Sequence, residues 1–398
     1  MDGTLRELLD MLLRWVHVIA GIMWIGNSLL FNWLDRNLRP VEPPRPGVQG
    51  KIWLLHSGAF YEVEKKLLPA GHPYPEKVHW FMFQNLTTWL SGIGLLVLVY
   101  YMGGAAYMVD PQVAAIGAPT ATAIGVGVLV GSWFVYDLIW RSPLGQRPTL
   151  TFVICLVLLL LVSFGLSRLL SGRAAFIHVG ALLGTLMTGN VWFHIVPSQR
   201  ELVAATLAGR DQDPALSARA KQRSIHNNYM TFPVIFTMIS NHFPSTYGHT
   251  LNWLILAILM VGSAAVRHFM NIRFYYPGWL RFAAASALLA LALVFVLIAW
   301  ARGSSSAAAS GQVSFSAVQP VIERRCVTCH AAAPTDPQFT APPAGVVLES
   351  PEQIRALAQR IKERAVVTKS MPLGNKTGMT DEERALLGAW VDQGAQIP

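Results

Sequence analysis

Eight stretches of predominantly apolar residues, most of them near twenty residues long, fill the first three quarters of this chain. A helix of about twenty apolar residues spans the roughly 30 Å hydrocarbon core of a bilayer. Backbone groups in lipid must be hydrogen-bonded within the chain, so the sequence predicts an all-α polytopic membrane helix bundle of about eight spans. The stretches are residues 11–32, 79–101, 119–140, 149–167, 175–196, 228–243, 250–269 and 280–300; the sixth is short and contains Pro233.

Lysine and arginine are distributed unevenly between the connections. The connections 102–118 and 244–249 contain neither residue type, whereas the connection 33–78 is rich in both; the short 168–174 loop, with two arginines, breaks the pattern. Because loops rich in lysine and arginine stay in the cytoplasm, we expect the N-terminus and the C-terminus on the periplasmic side of a bacterial inner membrane. The net charge of +9 follows from this topology, so we expect the lipid bilayer and no nucleic acid as a partner.

The segment RRCVTCHAA lies beyond the last apolar stretch. Cys326 and Cys329 are spaced to form two thioether bonds to one haem, and His330 is placed to ligate its iron. The sequence therefore predicts one covalently bound haem c. A disulfide or half of a zinc site is the alternative, but no Cys or His follows His330 to complete a zinc site.

A second axial ligand is expected in the segment KSMPLGNKTGMT. Met371, which precedes Pro372, is the preferred ligand, because Met379 directly precedes Thr380, the predicted N-cap of the last helix. Predicted helices at FSAVQPVIERR and after Ser350 complete a small class I cytochrome c domain. The expected domains are a membrane domain at 1–300, a flexible linker at 301–312 and a cytochrome domain at 313–398.

Histidines within the predicted spans fall into two layers, one toward each side of the membrane. Two layers would suit b-type haems whose iron takes imidazoles from facing helices. The alternative is that these side chains are hydrogen-bonded within the bundle. The preferred ligand pairs are His17 with His178 in the outer layer, and His194 with His79 or His268 in the inner layer.

The segments LLHSGAFYEVEK, IHNNYMTFPVIFTMISNHFP and VRHFMN, with the cysteine motif after a linker of small residues, resemble those of the bacterial membrane-bound urate oxidases that carry a C-terminal cytochrome c domain. The resemblance covers essentially the whole chain. It implies oxidation of urate to 5-hydroxyisourate, with electrons passed through haem c to a respiratory cytochrome c or terminal oxidase. No catalytic residue is carried over from the family.

Urate is a flat anion, so its site needs an aromatic face, amide or guanidinium donors and a base. Residues of these types predicted at the cytoplasmic side are His56, Tyr61, Lys65, Asn228 and Arg267. The loop that holds the first three is expected to close a pocket or to form an interfacial amphipathic helix. The connector 200–223 is expected to be solvated.

Two other functions are compatible with these features. A quinol-oxidising or electron-relay membrane cytochrome would use the same histidines and haem c without acting on urate. A transporter with a redox-sensing tail would move a solute without steady turnover through haem.

Overall fold

The computed structural model describes residues 3–68, 73, 75, 77–102, 107–305 and 312–398. Its first part is a helix bundle with one β-hairpin. The elements are α1 (Gly3–Asn37), β1 (Val48–His56), β2 (Ala59–Lys66), α2 (Phe83–Leu95), α3 (Ala118–Arg141), α4 (Pro148–Leu169), α5 (Gly172–Asn190), α6 (Val196–Leu207), α7 (Pro214–Ile239), α8 (Pro244–Tyr247), α9 (Asn252–Ile272) and α10 (Trp279–Ser305).

Seven helices in the described part are long and apolar enough to cross a membrane. The sixth predicted stretch forms the last half of α7, which is too polar to be one of them, and Pro233 lies inside it without ending it. The helix α7 packs between α5 and α9, so its polar side chains are covered by protein. Most of the large apolar side chains of α10 face outward, as in Leu288 (67% exposed) and Phe295 (71% exposed).

The helix α5 forms the centre of the bundle, where most of its residues are buried. Small residues allow its neighbours to approach closely. A side chain at Gly189 would overlap the Trp133 ring of α3, and one at Gly180 would overlap Thr237 of α7.

The two ends of the bundle can be identified from contacts between loops. At the upper end, where α1 begins, Arg6 donates to the Leu98 carbonyl (3.0 Å) and the His249 ring contacts the Leu297 carbonyl (3.1 Å). At the lower end, where α1 finishes, the Arg36 guanidinium lies over the Tyr275 ring (5.8 Å). The helix α7 runs from the lower to the upper end, so eight described helices traverse the bundle.

The hairpin extends the lower end. Its strands pair in antiparallel fashion with His56 opposite Ala59, and Arg39, just after α1, forms a bridge with Lys51. This segment is therefore a β-hairpin, and the alternative of an interfacial amphipathic helix is wrong. At the turn between the strands, Ser57 and Gly58 both have positive φ, which matches the twist of a hairpin.

The C-terminal domain is a second helical unit with its own core. Its helices are α11 (Phe315–Arg325), α12 (Pro351–Ala356), α13 (Ala358–Ile361) and α14 (Asp381–Asp392). Ser350 and Thr380 cap α12 and α14 with complete capping boxes; the sequence predicts both N-caps and the box at Thr380. The first five residues of the predicted linker continue α10, and residues 306–311 lie outside the described residues.

The C-terminal domain sits on the upper end of the bundle. Gly248, directly after α8, meets the carbonyl oxygen of Thr368, and a side chain at Gly248 would overlap that oxygen. The end of α10 also approaches the π-helical turn at Lys362–Val367. The first helix and the C-terminal domain therefore lie at the same end of the bundle.

We expect reporters fused before Met1 and after Pro398 to lie on the same side of the membrane, because an even number of traversals returns the chain to the side where it began. The positive-inside pattern predicts that this is the periplasmic side. Alkaline phosphatase should be active at both positions and green fluorescent protein at neither. Activity of the two reporters on opposite sides would contradict eight traversals.

Candidate functional site

The cysteine motif forms a single turn directly after α11. The Cys329 and His330 amides both donate to the Cys326 carbonyl, at 3.2 and 2.9 Å. Both cysteines are free thiols, and burial raises the pKa of Cys326 to about 12 and raises the pKa of Cys329. The two thiols are therefore neutral and unlinked on one turn, which is the state that can add to the two vinyl groups of a haem.

His330 is oriented by a hydrogen bond on one side of its ring. Its Nδ1 donates to the Val346 carbonyl (3.0 Å), which leaves Nε2 free as a ligand atom. Such a second hydrogen bond is usual for a metal-ligating histidine. Burial lowers the pKa of His330, which favours the neutral ring that binds a metal.

Met371 and Met379 occupy different environments. Met379 is 1% exposed and packs in the core of the C-terminal domain. Met371 is partly buried and is not among the described apolar side chains that form this core. Buried Arg384 donates to the Met371 carbonyl (2.7 Å) and to Asn375 (3.1 Å), so it fixes the backbone that carries Met371.

These residues fit a covalently bound haem, with Cys326 and Cys329 as attachment points and His330 and Met371 as axial ligands. The Arg384 Nε is buried without a hydrogen-bond partner, which leaves one donor of the domain unsatisfied. Among the described residues, no three His, Cys, Asp or Glu side chains are grouped to hold a metal ion, so the zinc alternative lacks further ligands.

A lower polar cluster is centred on Asp137 of α3. Its carboxylate accepts from the His194 Nε2 (2.6 Å), from Arg223 (2.8 Å) and from Arg141 (2.6 Å). Arg223 is 3% exposed, so the end of the 200–223 connector is buried rather than solvated. This ion cluster connects α3, the π-helical turn at Val191–Ile195 and α7.

A hydrogen-bond chain continues this cluster toward the middle of the bundle. Asn190 donates to the Tyr136 hydroxyl (3.0 Å), which is also hydrogen-bonded to the His226 Nδ1 (2.7 Å). Asn190 also donates to Asn227 (2.9 Å). Asn227 borders a cavity of about 80 Å³, lined also by Trp24, Ile25, Ser28, Met187, Val191, Ile195, Ser224 and Thr231. Its volume is well below the roughly 300 Å³ at which ligand pockets usually begin.

Two of the sequence-predicted substrate residues do meet. Arg267 (2% exposed) donates through Nε to the side-chain Oδ1 of Asn228 (3.0 Å), which also accepts from the Asn271 side chain (2.7 Å). The other three lie on the hairpin: Lys65 pairs with Asp35, and His56 and Tyr61 are exposed. No described contact joins the hairpin residues to Arg267.

An upper polar group lies where α2 ends and α5 begins. The Arg173 guanidinium stands over the Tyr107 ring (4.7 Å) and donates to the Asn241 side chain (3.0 Å). Asn241 in turn donates to the hydroxyl of buried Tyr100 (3.2 Å). No Asp or Glu of the described residues forms a salt bridge with Arg173.

The Tyr101–His178 pair completes this upper polar group. The His178 Nδ1 donates to the Ala174 carbonyl (2.8 Å), so its Nε2 accepts from the Tyr101 hydroxyl (3.0 Å). Tyr100 and Tyr101 both belong to the π-helical turn Leu96–Tyr101, and single π-helical turns are frequent at functional sites.

The histidines proposed as b-type haem ligands are engaged with protein. Both His178 nitrogens are hydrogen-bonded, and Gly125 packs against its Nε2. His17 contacts Thr88 and Ser91, and His194 contacts Asp137. His268 bonds to Tyr229, and His79 packs on Phe81. His178 in this arrangement does not fit haem ligation, so no step is derived through a haem in the bundle, and that pairing stays a prediction.

An apolar helix bundle with polar groups inside, joined to a small second helical domain, defines a membrane-type helical protein. The family model described as Urate oxidase N-terminal matches residues 3–300, and the chain belongs to this family. Membership indicates a urate-related oxidoreductase. No curated protein and no solved structure matches the chain.

Sequence reasoning missed Asp137, Arg223 and Arg173. Asp137 is the only acidic residue in its span, and a charged residue inside a span needs a partner. That signal could have identified Asp137. Arg173 lies in the short 168–174 loop that breaks the charge pattern, and that exception is its signal in the sequence.

We expect Met371→Ala to abolish methionine ligation, shifting the haem absorption spectrum and lowering the reduction potential, because methionine ligation raises the potential. Met379→Ala should leave both unchanged and lower the free energy of unfolding by about 2–5 kcal/mol, because it opens a core cavity. Spectra, potentiometry and thermal melts of both variants distinguish the roles. The reverse pattern would make Met379 the ligand.

We expect Asp137→Asn to destabilise the bundle by about 3–5 kcal/mol, because it leaves buried Arg223 without its carboxylate. Thermal unfolding in detergent measures this loss. Glu201→Gln, which removes the exposed ion pair with Arg210, is the matched control and should change little. Equal melting temperatures for both variants would show that the lower polar cluster does not contribute this stability to the bundle.

Proposed function

We propose that the protein is a membrane-bound urate oxidase that forms 5-hydroxyisourate and delivers the electrons to its own C-terminal cytochrome c domain. The observation that carries this proposal is the family match over the bundle, joined in one chain to a turn whose two thiols and oriented histidine fit haem c. A respiratory cytochrome c or terminal oxidase would be the final electron acceptor.

The reaction balances without molecular oxygen. The urate monoanion and one water give neutral 5-hydroxyisourate, one proton and two electrons. The bond formed joins the water oxygen to a ring carbon, and the water gives up one proton to a base. When bound, haem c would accept these electrons one at a time.

The residues of the C-terminal domain would hold that group in a fixed position. Cys326 and Cys329 would attach it, and His330 would ligate through the Nε2 that its hydrogen bond to Val346 leaves free. Arg384 would keep the Met371 backbone in place through its bond to the Met371 carbonyl. These contacts hold both axial ligands within one folded domain.

The membrane placement supports the same function. The described bundle has seven helices suited to a bilayer, and its C-terminal domain lies at the end that the charge pattern assigns to the periplasm. A bacterial inner membrane would therefore place the cytochrome domain beside periplasmic and membrane electron carriers. The hydrogen-bonded state of the histidines favours urate oxidation close to that domain over a route through membrane haems.

We expect anaerobic urate to reduce the haem c of the purified full-length protein, seen as growth of the reduced α-band, because urate is the electron donor. A denaturing gel stained for haem peroxidase should show covalent haem, which Cys326→Ser with Cys329→Ser removes. Reduction by a quinol but not by urate would instead favour the electron-relay cytochrome. Solute uptake without haem reduction would favour a transporter.

A further inference from the structure

The upper polar group combines the side-chain types that a purine anion needs. Arg173 supplies a guanidinium without a carboxylate partner in the described chain, and the Tyr107 ring lies against it at 4.7 Å. Asn241 supplies an amide, and Tyr100 (5% exposed) supplies a hydroxyl. A planar anion with several hydrogen-bonding edges matches this set better than a metal or a neutral lipid.

The same group contains a base whose protonation state is fixed by geometry. Because the His178 Nδ1 keeps its proton on the Ala174 carbonyl, Nε2 is the acceptor toward the Tyr101 hydroxyl. When the Tyr101 oxygen receives a proton, Tyr101 can therefore pass its own hydroxyl proton on to His178. The pair accepts one proton net, the number that the reaction releases.

The C-terminal domain is docked directly above this group. Gly248 abuts the Thr368 carbonyl, and only glycine leaves room for that contact. Burial raises the pKa of Tyr247, while Arg173 from the bundle and Arg364 from the C-terminal domain both oppose that rise. Tyr247 thus interacts with both domains.

The upper polar group lies closer to the C-terminal domain than the lower polar cluster does, and this distance favours it as the electron donor. Met371 follows Thr368 by three residues, so it lies at most about 11 Å along the chain from the contact with Gly248. His178 and His194 lie on one continuous helical segment, and sixteen residues at 1.5 Å each separate them by about 24 Å. Electron tunnelling decays exponentially with distance, so a donor at the upper end is favoured over one that lies about 24 Å further from the C-terminal domain.

We propose that the upper polar group is the urate-oxidising site, with Arg173 binding the anion, the Tyr101–His178 pair taking the proton, and the Gly248–Thr368 contact holding the cytochrome domain against it. This inference rests on the proposed function and replaces the lower-end site expected from Asn228 and Arg267. Arg173 and Tyr101 are catalytic residues in this site, and Gly248 is a positioning residue.

Binding and electron transfer are measured separately on the full-length protein in detergent. Equilibrium binding of radiolabelled urate to dithionite-reduced protein reports the site without turnover. Stopped-flow reduction of haem c by urate reports electron delivery, and reduction by ascorbate reports an intact haem. Arg173→Gln should weaken urate binding at least tenfold, and Arg168→Gln, an arginine of the same end that lies over Phe164, is the matched control and should not.

Tyr101→Phe and Gly248→Val test the other two roles. Tyr101→Phe should retain urate binding, slow haem reduction by urate at least tenfold and remove the pH dependence of that rate. Gly248→Val should retain urate binding and ascorbate reduction but slow reduction by urate at least tenfold, and hydrogen exchange at 362–371 should rise. Gly127→Val, at a position with open space, is its control.

The outcomes separate this site from the proposed function. Loss of urate binding in Arg267→Gln with full binding in Arg173→Gln and in Arg173→Lys would move the site to the lower end and overturn the inference, while leaving urate oxidation intact. Unchanged haem reduction in Gly248→Val would overturn the docking role. Failure of the wild-type protein to bind urate or to be reduced by it would overturn the proposed function itself.

Discussion

A bilayer does not hydrogen-bond to side chains, and this constraint arranges the whole bundle. Each polar side chain on a membrane-crossing helix must find a partner inside the protein. Many polar residues of the described helices are gathered at two levels, around Asp137 at the lower end and around Arg173 at the upper end. Apolar side chains can then cover the outside, and α7 can cross the bundle although it is too polar to face lipid.

The two levels differ in charge, and the difference separates their roles. The Asp137 carboxylate neutralises the charge of buried Arg223 and connects three segments, so this group is a structural ion cluster. Arg173 has tyrosines and an amide around it but no carboxylate among the described residues, so its charge remains available to an anion. A site that must bind and release an anion cannot keep a permanent counter-ion.

In the proposed function, electron transfer would connect the upper polar group to the C-terminal domain. A covalent haem c can serve an oxidase only if its domain lies near the electron donor. The contact between Gly248 and Thr368 is made by backbone on both sides, so any side chain at residue 248 would separate the domains. The π-helical turns at 96–101 and 362–367 lie on the two sides of this junction, one with the tyrosines of the upper polar group and the other next to Thr368.

Local sequence determined the helices of the bundle, the cysteine turn and the caps at Ser350 and Thr380, because apolar length, motif spacing and capping chemistry act within a few residues. It also placed Asn228 with Arg267 on one side of the membrane, and these two side chains do meet. Only the tertiary structure decided that Arg223 is buried against Asp137, that residues 48–66 form a hairpin, and that Gly248 meets Thr368. Each of these depends on contacts between segments distant along the chain or on strand pairing, which helical periodicity and composition do not encode.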